Sequence, residues 1–163
     1  MAKYVSEDPY HESSKTFLDS ARGGNVASPL TVVELMAVIA RHAEEMQAPD
    51  EILPKHPRMR IRSVVEFFLR DSNITIMSVE ANARMRIAKS ILTVPLEYVT
   101  SLRLASVLKL KTLDLMHLAY AENIRSSGRE LDLFVTTDKS ILKKSNDIER
   151  LVMIKVKEPA ERV

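Results

Sequence analysis

Three carboxylates and one histidine stand where chemistry could gather in this chain of 163 residues. Glu34 falls in the first turn of a helical pattern that follows the strand-like segment NVASPL (residues 25–30), and Asp138 comes directly after the strand-like LFVTT (133–137). Asp114 lies at the start of a helical segment over residues 113–126, with His117 one turn further on. In open α/β sheets the reactive groups collect beyond the carboxyl ends of the strands. Carboxylates brought together there repel one another, so they either take up protons or recruit a divalent cation. Oxygen-only ligands select Mg²⁺ or Mn²⁺. Such an ion generates a nucleophile from water and neutralises charge on a phosphodiester during in-line displacement.

Each acid also has a structural use. Thr31, Val32, Val33 and Glu34 fit a capping box, in which the glutamate bonds back to the cap amide. Asp114 sits where a helix dipole favours negative charge, and Asp138 can cap a helix that begins at Lys139. His117 among apolar neighbours reads first as a core histidine. The four histidines, His11, His42, His56 and His117, are too far apart for zinc-ligand spacing, and no cysteine is present. Ser28, Ser78 and Ser140 lack a glycine-flanked nucleophile elbow, and no glycine-rich phosphate cradle occurs.

The elements that must position these groups follow from periodicity. Helical spacing covers residues 9–21, 31–48, 59–71, 80–92, 96–110, 113–126 and 139–144. A proline-rich turn separates the second and third of these at Pro49, Pro54 and Pro57. Strand patterns occupy residues 25–30, 73–79 (NITIMSV), 131–137 and 151–156 (LVMIKV). Strands separated by helices imply parallel pairing through right-handed crossovers. The expected fold is therefore α/β, with helices on both faces of a parallel sheet. A single domain over residues 1–158 and a frayed tail over 159–163 are expected.

Composition narrows the class. With 45% apolar and 28% charged residues and only 3 glycines, the chain suits one helix-rich domain rather than a disordered or collagen-like one. Its lack of cysteine removes disulfides and thiolate chemistry and suits a reducing cytoplasm. No run of about 18 apolar residues offers a membrane span, and the N-terminus has no signal-peptide pattern. Net charge is +2, yet residues 52–111 carry 11 Lys or Arg against 4 Asp or Glu. Lys55, Arg58, Arg60 and Arg62 form the densest group, followed by Arg84, Arg86, Lys89, Arg103, Lys109 and Lys111. Such an excess either steers a polyphosphate toward the protein or simply solvates helix faces.

Four segments in order resemble the PIN-domain family, and within it the VapC-like ribonuclease toxins. They are DPYHE (8–12), SPLTVVEL (28–35), LDLMHLA (113–119) and FVTTD (134–138). The resemblance implies a three-layer α/β/α sandwich in which Glu34, Asp114 and Asp138 are catalytic, metal-binding acids for Mg²⁺ or Mn²⁺. Thr136 or Thr137 would then be a polar neighbour of the cluster, and His117 a structural companion of Asp114. It further implies RNA as substrate, a small VapB-like antitoxin and a second copy of the chain as partners, and a cytoplasmic location. The family pattern opens with a central strand that ends in an aspartate; here DPYH begins eight residues from the start, so that first strand and its acid are expected to be missing.

Three functions follow as expectations: a metal-dependent endoribonuclease, weak or inactive if the first acid is lacking; a non-catalytic PIN-like module that binds RNA or protein; and a structural α/β protein whose acids only cap helices. The apolar stretches 32–39 and 67–69 serve either core or dimer contacts on this reading.

Overall fold

The computed structural model describes residues 2–5, 7–21, 24–42 and 57–160. They fall into two units, Met1–Met77 and Ser78–Val163.

The first unit begins with a 3₁₀ turn at Ala2–Tyr4 and continues through α1 (His11–Ser20), β1 (Asn25–Ala27), α2 (Pro29–His42), α3 (Pro57–Asp71) and β2 (Ile74–Ile76). Pro29 opens α2 rather than closing a strand, because its fixed φ and missing N–H suit the first helical position. The helix therefore starts two residues earlier than its apolar spacing predicts. Pro57 likewise opens α3 instead of belonging to a turn. The expected turn at Pro49 and Pro54, and the end of the second helical pattern, lie outside the described residues. After α3, Asn73 adopts a positive φ of 48° and its N–H bonds to the Arg70 carbonyl, which turns the chain into β2. Strands β1 and β2 run parallel, Asn25 opposite Ile74 and Ala27 opposite Ile76.

Ile39, Val64, Val65 and Phe68 form the core of this unit, with Val32, Leu35, Phe67 and Leu69 packed against it. Of the first apolar stretch, Val32, Leu35 and Ile39 join this core, as do residues 67–69, whereas Val33 and Met36 are 61% and 37% exposed. Tyr4 ties the start of the chain to the end of α3: its ring stacks on Phe68 at 3.8 Å, and its hydroxyl lies 2.8 Å from both Asp71 Oδ2 and Ser72 Oγ. Burial, and the neighbouring Asp71 carboxylate, push the Tyr4 hydroxyl up to about 12. Lys3 pairs with Asp19 and Asp71, each at 2.9 Å.

The second unit runs β3 (Asn82–Ile87), β4 (Ser90–Pro95), α4 (Leu96–Leu108), α5 (Thr112–Ser126), β5 (Leu133–Val135), α6 (Lys139–Leu142), α7 (Ser145–Val152) and β6 (Lys155–Lys157). The helix expected over residues 80–92 is instead the antiparallel hairpin β3–β4, with Arg84 opposite Thr93 and Arg86 opposite Ile91. Its turn places Ala88 at φ 52°. Ile87, Ile91 and Leu92, which a helix would need to bury, are 51%, 62% and 42% exposed. Residues 151–156 do not form one strand: α7 ends at Val152, Met153 turns with φ 60°, and only Lys155–Lys157 pairs, parallel to β5. Leu104, Leu108, Leu115, Leu118, Ile148 and Val152 build the core that holds α4, α5 and α7 together.

The chain is thus of the α/β class, with two parallel strand pairs and one antiparallel hairpin among the described residues. No described helix is long and apolar enough to cross a membrane. Replacing Tyr4 by Phe keeps the ring stack but strips the buried Ser72 hydroxyl of its partner. The expected cost is about 1–3 kcal/mol, read as a lower denaturation midpoint in urea at unchanged slope.

Candidate functional site

Asp114 is the third residue of α5, and Lys111 occupies the N-cap position before it. The Asp114 carboxylate accepts a hydrogen bond from the Lys111 backbone amide, the reciprocal half of a capping box. This accounts for one oxygen. The other, Oδ2, is shut off from solvent with no hydrogen-bond partner among the described residues. A buried carboxylate oxygen left without a donor is costly, and it is the opposite of what a purely structural cap produces.

Asp138 reaches the same place from the loop after β5. Strand pairing continues one residue past Val135, where the Thr136 N–H bonds to the Lys157 carbonyl at 3.0 Å. The Thr136 hydroxyl then accepts the Asp138 amide at 3.0 Å and fixes the turn. Asp138 is the N-cap of α6: its Oδ1 accepts from the Ser140 amide at 2.6 Å and from the Ile141 amide at 3.4 Å. Thr137 is half-buried between them.

The two aspartates feel each other's charge. Burial first, and then Asp138, raise the Asp114 carboxyl above its ordinary range, against the opposing effects of Lys111, His117 and the Lys111 amide. Asp138 moves the other way, because the backbone and hydroxyl of Ser140 stabilise its anion, aided by the Ile141 amide and Lys111. One acid is thus held as an anion while its neighbour is pressed toward the protonated form. Lys111 acts on both, a role that residue spacing alone does not reveal. His117 stands half-buried one turn along α5 and favours the Asp114 anion.

Glu34 belongs to the first unit, in the second turn of α2 rather than the first. The capping box expected from Thr31 to Glu34 does not form, since Ser28 precedes the first helical residue and the Thr31 amide bonds to the Ser28 carbonyl at 3.0 Å. Among the described residues no three His, Asp or Glu side chains gather closely enough to hold a metal ion. The aspartate pair nevertheless offers what a hard cation needs: oxygen donors, mutual repulsion to relieve, and an orphaned buried oxygen.

With this geometry in hand, comparison with known proteins places the chain. The PIN domain family model matches residues 1–146, and the chain belongs to that family. No curated protein and no solved structure gives a significant match. A PIN domain is a nuclease-type fold and is generally dependent on divalent metal.

Two stability effects follow from the geometry. Asp114→Asn keeps an acceptor for the Lys111 amide and removes a charge that burial opposes. A carboxyl with a raised folded value weakens the fold as pH climbs through that value, and has no effect below its unfolded value near 3.8. The variant's melting temperature should therefore gain on that of the wild type as pH rises from strong acid to 7. Asp138 has the reverse sign: its depressed value stabilises the fold above its unfolded pKa, and this is lost as pH falls. Asp138→Ala should cost about 1 kcal/mol in a urea melt at neutral pH, whereas Asp138→Asn, which still caps, should cost much less.

Proposed function

We propose that the chain is a metal-dependent endoribonuclease of the VapC toxin type, hydrolysing RNA phosphodiester bonds. The observation that carries this reading is the orphaned Oδ2 of Asp114 beside a second carboxylate that is held ionised. Helix capping explains one oxygen of each aspartate and does not explain that arrangement. Asp114 and Asp138 would hold the ion, with Glu34 as the third acid that the family resemblance assigns. A bound Mg²⁺ or Mn²⁺ supplies charge neutralisation at the phosphodiester and activates water for in-line attack.

The remaining chemistry belongs to the side chains. Asp138 is oriented by its two cap amides, which lowers the side-chain entropy lost when it binds an ion. Thr136 sets that orientation through the turn. Lys111 provides a positive charge next to both acids, suited to drawing a phosphate into a site that is otherwise anionic. His117 steadies the Asp114 anion from within α5. A small antitoxin, a second copy of the chain and a cytoplasmic setting belong to this proposal through the family resemblance.

A second reading, a PIN-like module that binds RNA or protein without cutting, draws support from the lack of a gathered set of three acids among the described residues. Cleavage of structured RNA separates the two. With Mg²⁺ or Mn²⁺ the wild type should cut, and Asp114→Asn and Glu34→Gln should each lower the rate by roughly 10²-fold, the scale on which one electrostatic stabiliser acts. Equal cleavage by wild type and Asp114→Asn would remove the assignment; no cleavage by any of them would favour the module.

A further inference from the structure

The charge surplus in the middle of the chain finds its clearest expression in the hairpin β3–β4. Residues 82–95 contain Arg84, Arg86 and Lys89 and no acidic residue. All three are exposed, and among the described residues none is paired with a carboxylate. The register sorts the ribbon into two faces, because residues paired across an antiparallel ladder lie on the same side. Asn82, Arg84, Arg86, Ile91, Thr93 and Pro95 share one face, and every one of them is exposed. The other face carries Ala83, Met85 and Val94, all half-buried, near the base of the hairpin.

We propose that this ribbon is an RNA-gripping arm whose Arg84/Arg86 face and Lys89 tip contact the phosphate backbone of the RNA. The choice of RNA rests on the ribonuclease reading above; the need for a polyanion rests on the hairpin's own charge. Arg84 and Arg86 point to the same side about 7 Å apart, two residues along a strand. Thr93 and Ile91, directly opposite them, add a hydroxyl and an apolar surface suited to a sugar edge. An A-form stem presents its backbone and 2′-hydroxyls across a wide, shallow groove, which a two-stranded ribbon can lie against. A protein or membrane partner fits less well, because the exposed apolar residues are split: Ile91 is on the basic face while Ile87 and Leu92 are on the other. The hairpin also runs straight into α4, where the Leu96 amide bonds to the Ala81 carbonyl at 2.9 Å. Helix α4 packs on α5, the helix that carries Asp114. The arm is therefore built on the same support as the aspartate pair.

The test is binding of a fluorescein-labelled RNA stem-loop, followed by anisotropy over a range of KCl concentrations in EDTA. Replacing Arg84, Arg86 and Lys89 together by Ser should weaken binding on the order of 10²-fold near 0.1 M salt and make the slope of log affinity against log salt shallower by about two to three. Arg84→Lys with Arg86→Lys should bind as the wild type does. Unchanged affinity and slope in the serine variant would overturn the proposal. So would equal loss in the lysine variant, which would trace the effect to the hairpin's fold rather than its charge. If the serine variant changes only the sedimentation of the chain and leaves RNA binding intact, the ribbon is a self-association surface and the proposal fails. No divalent ion is present in this experiment, so its outcome is independent of cleavage: equal cutting by wild type and Asp114→Asn in the separate Mg²⁺ assay would sink the ribonuclease reading and leave the arm standing.

Discussion

The second unit holds a carboxylate oxygen that is buried and has no hydrogen-bond partner among the described residues. Asp114 is fixed at the start of α5 by the amide of Lys111, and that fixation carries its other oxygen into a place with no donor among the described residues. Charge there is opposed first by burial and then by Asp138. A fold keeps such a group only when its surroundings over-determine it, and here they do: Leu115, Leu118 and Ala119 anchor α5 in the core directly behind Asp114.

Capping and chemistry are not rival explanations of the two aspartates. Each spends one oxygen on backbone amides, at the first turns of α5 and α6, and that is what aims the other oxygen. The Thr136 hydroxyl and the β5–β6 pairing bring Asp138 to its cap, so the placement of the second acid depends on a strand pair as short as three residues. Lys111 moderates both acids, which lets two carboxylates share a site without both becoming protonated.

Much of this was legible in the residues, and the reasons for success and failure are physical. Helices α4 and α5 carry apolar residues at regular spacing, so their presence and their starts, to within a residue, follow from the pattern, whereas α4 stops at Leu108 rather than 110 because Lys109 turns left-handed. The cap at Asp138 follows from an acid placed between a β-branched strand and a short helical run. The hairpin does not, because its turn is Ala88 and Lys89 rather than the Asn-Gly type that marks such turns, and its isoleucines mimic a helical stripe while facing solvent. Helix α7 was hidden for the converse reason: LVMIKV reads as one β-rich run, although Val152 ends a helix whose buried side includes Ile148. The effect of Lys111 on both acids depends on two loops converging, which no local pattern encodes.

The central claim is that Asp114 and Asp138 together receive a divalent cation. Paramagnetic broadening of backbone amide signals by Mn²⁺ tests it most directly, since the effect falls off steeply with distance from the ion. Added at low stoichiometry, Mn²⁺ should broaden residues around 111–117 and 136–140 selectively, and Asp114→Asn should abolish that localised effect. Broadening spread evenly over the chain's acidic surface, or left unchanged by the substitution, would contradict the account.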